Sequence, residues 1–337
     1  MKKLLLITFF CCTAVINSVQ AQLISTFAGS YRGGVMNGTG TAAIFSRPTG
    51  VAVDGFGNMY VADKFNHLIR KITPAAVVST FAGSGNFGTN DGSGAVASFA
   101  FPVGVAVDGS GNVYVADELN QLIRKITPTG IVSTLAARRY GSVSYAFALA
   151  VDDSGNMYVA YSDINIICKI TPDGVMSDLA GSGNKGYANG TGIAASFNFP
   201  SGVAVDGSGN VYVADQGNNV IRKITSDGVV STLAGSGVSG YVDGAGTTVS
   251  FSNPSGLAVD DLGNVYVADT WNSVIRKITP TGVVTTFAGS GNLVITDVET
   301  DAKNVGFFSP LGLALDGSGN LYVTDGKLLF PLKNWTS

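Results

Sequence analysis

The segment Gly104–Asp117 reads GVAVDGSGNVYVAD and contains two apolar runs separated by a polar, glycine-rich string. The runs are Val105-Ala-Val107 and Val113-Tyr-Val-Ala116, and both are rich in residues that favour strands. Between them lies Asp108-Gly-Ser-Gly-Asn112, whose residues favour tight turns. The segment therefore predicts a β-hairpin.

The chain continues from this hairpin with two more strand-like runs. A turn leads into Leu122-Ile-Arg-Lys-Ile126, and Pro128-Thr-Gly130 then leads into Ile131-Val-Ser-Thr-Leu135. Because all these runs are short and are separated by turn residues, we expect one antiparallel meander of four strands.

The same phrase recurs along the chain, and the recurrences make up six units. The matching segments are 50–63, 104–117, 149–161, 202–215, 256–269 and 312–325. Units of about 50 residues indicate a repeat architecture in which neighbouring sheets cover each other. A linear solenoid would require atypical capping units at both ends.

The two ends of the repeat region favour a ring over a solenoid. The last unit reaches Leu328–Lys333 without a fourth strand, whereas Leu23–Ser30 matches the fourth strand at Val77–Ser84. We therefore predict an all-β fold: a six-bladed β-propeller of four-stranded antiparallel sheets, in which strand 23–28 completes the last blade and closes the ring. The units would start near residues 49, 103, 147, 201, 255 and 311, within a propeller domain spanning 22–337.

The first 21 residues have the pattern of a signal peptide. A basic start at Lys2 and Lys3 precedes an apolar stretch from Leu4 to Ile16, and Val19-Gln-Ala21 resembles a cleavage site. The apolar stretch is shorter than the roughly 20 residues that span a bilayer. We expect cleavage after Ala21, no membrane span, and a secreted, extracellular or periplasmic location.

Composition excludes several classes of function. Among 337 residues there are 45 Gly, only 13% charged residues, one histidine and a net charge of -3. This acidic balance argues against nucleic acid as a partner. After removal of the leader, Cys168 is the remaining cysteine, and its apolar surroundings predict a buried, inert thiol.

The repeat phrase P-x-G-V-A-V-D-x-x-G-N-V-Y-V-A-D-x-x-N-x-x-I-R-K-I-T resembles the NHL-repeat family of β-propellers. The resemblance covers about residues 23 to 333. Within the family, the chain is similar to the secreted type, whose units are joined by S-T-x-A-G-S-G loops. The resemblance implies the propeller fold. It leaves function open, because the family includes RNA binders, adhesion-type extracellular domains and a lyase.

An aspartate and an arginine seven positions apart recur in four units and are lost together in the third. The four pairs are Asp63 with Arg70, Asp117 with Arg124, Asp215 with Arg222, and Asp269 with Arg276. The third unit has Tyr161 and Cys168 at these positions, and the sixth keeps Asp325 but has Leu332. The joint loss predicts structural pairs that bridge the turn between two strands.

A second set of aspartates ends the first strand of each unit. These residues are Asp54, Asp108, Asp152, Asp206, Asp260 and Asp316. One interpretation is a ring of carboxylates that binds calcium at the axial channel. The other is that each aspartate accepts hydrogen bonds within its own turn, which predicts no cofactor.

Two further features distinguish the loops between units. A Phe-x-x-Pro motif recurs with Phe45, Phe99, Phe197, Phe251 and Phe307, and its regularity favours packing between blades over a ligand platform. The third connector is shorter and carries Arg138, Arg139, Tyr140 and Tyr145. These four residues form a candidate ligand rim suited to carboxylates or sugars, with decay of the repeat as the alternative.

Enzymatic activity has little support in the residues. His67 is the single histidine, so a zinc site of several histidines and the corresponding lyase activity are excluded. The two glutamates, Glu118 and Glu299, occupy a hairpin turn and a loop rather than an axial site. We expect a monomeric, non-enzymatic scaffold that binds an extracellular or cell-surface protein or glycan. A calcium-dependent lactonase-like or lyase-like propeller with an axial site is the alternative.

Overall fold

The computed structural model of the chain describes residues 23–24, 26–30, 32–137, 145–292, 300–326 and 328–332. The predicted leader, residues 1–21, lies outside this range. Nearly all regular structure in the described residues is β-strand, interrupted by short 3-10 helices. These helices are Gly40–Ala42, Lys64–Asn66, Glu118–Asn120, Gly192–Ala194, Gln216–Asn218, Gly246–Thr248 and Thr270–Asn272.

The strands in chain order are β1 (Leu23–Ile24), β2 (Gly38–Thr39), β3 (Pro48–Val53), β4 (Met59–Asp63), β5 (Leu68–Ile72), β6 (Val77–Ala82), β7 (Gly92–Ser93), β8 (Pro102–Val107), β9 (Val113–Asp117), β10 (Leu122–Ile126), β11 (Ile131–Ala137), β12 (Ala146–Val151), β13 (Met157–Tyr161), β14 (Ile166–Ile170), β15 (Met176–Ala180), β16 (Gly190–Thr191), β17 (Pro200–Val205), β18 (Val211–Asp215), β19 (Val220–Ile224), β20 (Val229–Ala234), β21 (Gly244–Ala245), β22 (Pro254–Val259), β23 (Val265–Asp269), β24 (Val274–Ile278), β25 (Val283–Ala288), β26 (Thr300–Asp301), β27 (Pro310–Leu315), β28 (Leu321–Asp325) and β29 (Leu328–Leu332).

These strands form six antiparallel sheets. Written from the outer to the inner strand, the sheets are β2-β6-β5-β4-β3, β7-β11-β10-β9-β8, β15-β14-β13-β12, β16-β20-β19-β18-β17, β21-β25-β24-β23-β22 and β26-β1-β29-β28-β27. Each inner strand contacts the inner strand of the next sheet, and β27 contacts β3. The sheets therefore surround a common axis, and the fold is an all-β propeller.

The prediction of four strands in every sheet is wrong for five of the sheets. In these, a two-residue strand from the preceding loop pairs with the outer edge, as Gly92–Ser93 does with β11. The sheet of β12–β15 has four strands. Eight residues, 138–145, separate β11 from β12, whereas nineteen, 83–101, separate β6 from β8.

The first and last described strands lie in one sheet. Ile24 of β1 pairs with Leu332 of β29, and Leu23 and Ile24 pair with β26 on the other side. The following residues extend this contact, since Phe27 packs edge-on against Tyr322 with ring centroids 6.0 Å apart. The two ends of the repeat region are therefore joined by main-chain hydrogen bonds, the device that closes a propeller.

The apolar core lies between neighbouring sheets. Phe99, for example, packs against Tyr60 and Ala62 of one sheet and Val105 and Val113 of the next. The recurring phenylalanines are fully or almost fully buried, as the packing interpretation of the Phe-x-x-Pro motif requires. Because both faces of each sheet are covered, the second strands have almost no alternation of polar and apolar residues.

Candidate functional site

The structure brings each predicted Asp–Arg pair into direct contact. The shortest nitrogen–oxygen distances are 2.8 Å for Asp63–Arg70 and 2.9 Å for Asp117–Arg124, Asp215–Arg222 and Asp269–Arg276. All eight side chains are fully buried. Burial raises the pKa of Asp117 to about 6, against hydrogen bonds from Ala100 N and Asn120 and the charge of Arg124. These are structural pairs that no solvent-borne ligand reaches.

Each of these arginines also holds the long loop that precedes its blade. Arg124 donates from Nη2 to Asn90 O at 2.9 Å and to Asp91 Oδ1 at 2.7 Å, and from Nη1 to Ser98 O at 3.0 Å. Its guanidinium lies 5.2 Å from the centre of the Phe99 ring. The strand register shifts immediately before Arg124, and a bulge of this kind re-aims a side chain. The arginine therefore connects a blade to its loop.

The third unit shows why both residues are lost together. Its connector, residues 138–145, has eight residues, whereas the loop that Arg124 contacts, 83–101, has nineteen. Tyr161 and Cys168 are fully buried in this blade, and Cys168 Sγ lies 3.2 Å from Asp178 Oδ1. Without the loop carbonyls, a buried arginine would have lost most of its hydrogen-bond acceptors, which is costly.

The turn aspartates are held within their own hairpins. Asp54 Oδ1 accepts hydrogen bonds from Phe56 N at 2.9 Å and Asn58 N at 2.8 Å, and Oδ2 accepts from Tyr60 Oη at 3.2 Å. The same pattern recurs at the other five turns. Within the described ranges no three His, Cys, Asp or Glu side chains are grouped as a metal site. The carboxylates serve local turns.

The predicted ligand rim at the third junction is described at one of its four residues. Arg138, Arg139 and Tyr140 lie outside the described residues. Tyr145 is half-buried, and its backbone N–H donates to Asp163 Oδ1 at 2.9 Å.

An axial cleft of about 130 Å³ opens where the inner strands begin. Equivalent positions of the inner strands supply a ring of lining residues: Thr49, Val103, Phe147, Ser201, Ser255 and Leu311. The first blade adds Arg47 and Lys64. Lys64 Nζ forms a salt bridge of 2.6 Å with Glu118 and lies 5.9 Å from the centre of the Phe147 ring. The mouth of the cleft therefore carries basic side chains on one side and a mixture of hydroxyl and apolar residues elsewhere.

A cluster of aromatic side chains lies beside this mouth. His67 packs edge-on against Phe101 and Phe87, with ring centroids 4.8 Å and 5.8 Å away, and Phe65 packs edge-on against Phe101 at 5.6 Å. The Arg47 guanidinium lies 5.6 Å from the centre of the Phe65 ring. Phe65 is 47% exposed and Phe87 is 60% exposed. We call Phe65, His67, Phe87 and Phe101 the aromatic cluster.

His67 links two blades within this cluster. Its backbone is left-handed, with φ of 56°, and its Nδ1 accepts a hydrogen bond from Phe101 N at 3.2 Å. Burial lowers the pKa of the imidazole, so the neutral form with its proton on Nε2 fits this contact. Asn165 and Asn219 make the corresponding link from their side-chain oxygens to Phe199 N and Asn253 N. The histidine therefore replaces a structural asparagine.

Arg47, Lys64 and the aromatic cluster were absent from the sequence-based candidates. In the first unit, Arg47, Lys64, Phe65 and His67 differ from the residues at the same positions of most other units. This difference is the feature of the sequence that could have identified them. At the position of Lys64 the other units have Glu118, Ser162, Gln216, Thr270 and Gly326. Only the folded ring shows that Phe87, in a connecting loop, meets His67.

Comparisons with known proteins agree with this architecture. Residues 99–126, 197–224 and 251–278 match the NHL repeat. The chain therefore contains NHL repeats within its propeller. NHL repeat-containing protein 2 of Bos taurus is 30% identical over 313 residues, which cover 87% of this chain and 39% of that protein. The chain thus spans well under half the length of this relative.

Solved structures of quite different proteins share the fold. An auxiliary nutrient binding protein from Bacteroides thetaiotaomicron aligns with a TM-score of 0.70 at 14% identity, covering 92% of this chain and 76% of that one. A gluconolactonase from Xanthomonas campestris aligns with a TM-score of 0.60 at 14% identity, covering 93% and 89%. At such identities the likeness shows the fold alone. Among the described residues, no helix of this propeller is long and apolar enough to cross a membrane.

Proposed function

We propose that this NHL-repeat propeller is exported and acts as a monomeric, non-enzymatic binding protein. It recognises an extracellular or cell-surface protein through the face that carries the axial mouth. The observation that carries this proposal is the aromatic cluster, because Phe65 and Phe87 stay about half exposed in a chain that buries its repeated phenylalanines. The leader predicted at residues 1–21 supports export.

The chemistry of the cluster favours a protein partner over a glycan. Phenylalanine offers apolar area without a hydrogen-bonding group, whereas sugars need polar partners around a stacking ring. Arg47, stacked over Phe65, adds a charged group of the kind that is enriched where proteins meet. The expected partner therefore presents an apolar side chain beside a carboxylate.

The arrangement of ionisable groups supports binding without catalysis. His67 uses Nδ1 to accept a backbone hydrogen bond, and the turn aspartates accept hydrogen bonds from their own hairpins. A calcium-dependent lactonase-like site would place carboxylate oxygens at the axis. The residues that line the cleft include two cations and no aspartate or glutamate.

A capture experiment with matched variants tests the proposal. The immobilised protein, the double variant Phe65→Ala/Phe87→Ser and the control Phe56→Ser are exposed to cell-surface and secreted proteins from the source cells. Phe56 is 89% exposed at the opposite end of the β3–β4 hairpin, and other units have serine there. Captured proteins are then purified and their affinity for the three forms is measured.

The expected result is direct binding that falls at least about tenfold in the double variant and is unchanged in the control. Equal affinity for all three forms would contradict the proposed face. Binding to a glycan array that disappears in the double variant would replace the protein partner with a glycan. Hydrolysis of a lactone panel that requires the axial residues would replace the binding function with catalysis.

A further inference from the structure

The charge of the axial cleft is opposite to the charge of the whole protein. The chain has a net charge of -3, yet the residues lining the cleft include Arg47 and Lys64 and no carboxylate. Because Glu118 pairs with Lys64, it leaves the charge of Arg47 uncompensated. Cationic groups within a concave, low-dielectric wall concentrate their field at the opening. The cleft therefore favours anions although the protein as a whole repels them.

Arg47 is the cation available to a ligand. Within the part of the chain that the structure describes, its guanidinium stacks on Phe65 and has no carboxylate partner, whereas Lys64 is bound to Glu118. Arg47 also has a left-handed backbone, with φ of 54°. Asparagine tolerates this conformation better than arginine does, and Asn253 occupies the equivalent position of another unit with φ of 55°. The structure thus places beside the mouth an arginine that has no carboxylate partner among the described residues and shares the left-handed backbone of this repeat position.

The remaining lining is suited to an apolar body. Phe147 and Leu311 are half-buried apolar residues at positions where other units have Ser201 and Ser255. Both serine hydroxyls are engaged: Ser201 Oγ donates to Pro254 O of the next blade at 3.1 Å, and Ser255 Oγ lies 2.6 Å from Thr270 Oγ1 of its own blade and 3.2 Å from Leu311 O of the next. Few hydroxyl donors are therefore left for a sugar or another polyhydroxylated ligand.

We propose that the axial cleft binds a small organic monocarboxylate with an apolar body. The carboxylate accepts two hydrogen bonds from the Arg47 guanidinium, a geometry that a guanidinium provides and an ammonium does not. The apolar body lies against Phe147 and the apolar residues of the neighbouring inner strands. Lys64 adds positive potential without forming the primary contact, since Glu118 already pairs with it.

This site does not depend on a macromolecular partner, and although Arg47 belongs to both proposals, the two are tested with different variants and different probes. The probe is cinnamate, with cinnamamide as its neutral counterpart, and binding is measured by calorimetry and by ligand-observed NMR. The variants are Arg47→Asn and Phe147→Ser, which install residues found at the same positions in other units. Lys223→Gln, in β19 away from the cleft, is the control for loss of a positive charge.

We expect cinnamate to bind at least about tenfold more tightly than cinnamamide. Arg47→Asn should remove this preference, and Phe147→Ser should weaken both probes alike. Lys223→Gln should leave both affinities unchanged, and unchanged melting temperatures should show that the variants fold. Equal affinity for the two probes, absence of cinnamate binding at millimolar concentration, or full binding by the folded Arg47→Asn protein would each overturn the proposal.

Discussion

Arg124 shows how a single residue connects a blade with the loop that leads into it. Its guanidinium pairs with Asp117 inside the blade and donates to Asn90 O, Asp91 and Ser98 O in the loop. The position of Asp91 is filled by asparagine in two other units, where Arg70 and Arg222 bind Asn37 Oδ1 and Asn189 Oδ1 at 2.7 Å. The contact from arginine to loop is thus kept whether or not the loop residue is charged.

Replacement of the carboxylate inside a blade should be costly. In Asp117→Ala the buried guanidinium of Arg124 keeps its loop contacts but loses its fully buried counter-charge. We expect the free energy of unfolding to fall by about 3–5 kcal/mol, measured by urea denaturation. Asp173→Ala, at an exposed turn, is the matched control and should change stability by less than about 1 kcal/mol. Equal losses in the two variants would contradict a structural role for the pair.

Asp325 is the counterpart of Asp117 in the last blade and should make stability depend on pH. Burial raises the pKa of its carboxyl from 3.8 to about 6, opposed by hydrogen bonds from Phe308 N and Ser309 N. The folded state therefore binds the proton more tightly than the unfolded state. This contribution to stability is fully present below about pH 4 and is lost as pH rises through about 6.

Comparison with Asp325→Asn isolates this effect. The stability of the wild type relative to the variant should decrease by up to about 3 kcal/mol between pH 4 and pH 7. Urea denaturation at several pH values provides the measurement. Parallel stability profiles for the two proteins would show that Asp325 titrates at its ordinary pKa in the folded state.

The sequence alone predicted which aspartate pairs with which arginine, but it did not predict the contacts of the arginines with the loops. The seven-residue spacing and the joint loss in the third unit were sufficient to pair Asp117 with Arg124. The contacts of Arg124 with Asn90 and Asp91 depend on the path of a loop more than 30 positions away in the chain. Local patterns carry no information about such a path, so these contacts were missed.

At the scale of elements, the inner strands are packed so closely that five of the six sheets have glycine at one position. A Cβ atom on Gly202 of β17 would lie 1.9 Å from Ser255 O of β22, and one on Gly256 would lie 2.0 Å from Leu311 O of β27. The third blade has Ala148 at the corresponding position. Close approach of neighbouring inner strands therefore sets the width of the axial cleft.

Gly202→Ala tests this close approach. The added methyl group must push β17 away from β22, and overpacking of this kind costs about 1–3 kcal/mol, which should appear as a lower melting temperature. Gly207→Ala is the control, because a Cβ atom at this turn meets nothing within 4 Å. An unchanged melting temperature for Gly202→Ala would contradict the packing of the inner strands.

The sequence predicted the long strands well and missed the short outer ones. Runs such as Val113–Asp117 are apolar up to their final aspartate and are bounded by turn residues, so their type and approximate bounds were evident. The additional outer strands have two residues each and include Gly38–Thr39 and Gly92–Ser93. Two residues contain no periodicity, and glycine lowers strand propensity, so only tertiary pairing reveals them.

For the molecule as a whole, the joining of the first and last strands should dominate stability. Deletion of residues 22–30 removes β1, Phe27 and the fully buried Ala28, and exposes the edges of β29 and β26. We expect the melting temperature to fall by about 10 °C or more relative to a protein that begins at residue 22. Calorimetry provides the measurement, and identical melting curves for the two proteins would show that the ring does not need β1.

The position of the candidate site was the least predictable feature of the molecule. The third connector is shorter than the others and so interrupts the regular length of the repeat. For that reason the sequence favoured Arg138, Arg139, Tyr140 and Tyr145 as candidates. The aromatic cluster involves no change of length, only single substitutions in units that otherwise follow the pattern. Phe87 and His67 are 20 positions apart in the sequence, and they meet because the loop after β6 returns over the turn between β4 and β5.

The most direct test of the account is hydrogen exchange of the protein alone and in complex with its captured partner. If the mouth face binds, exchange should slow at residues 64–67 and 85–101. It should stay unchanged at the turns 54–58 and 260–264, which lie at the opposite end of the hairpins. Protection confined to those opposite turns would contradict the central claim that the face bearing Arg47 and the aromatic cluster is the binding face.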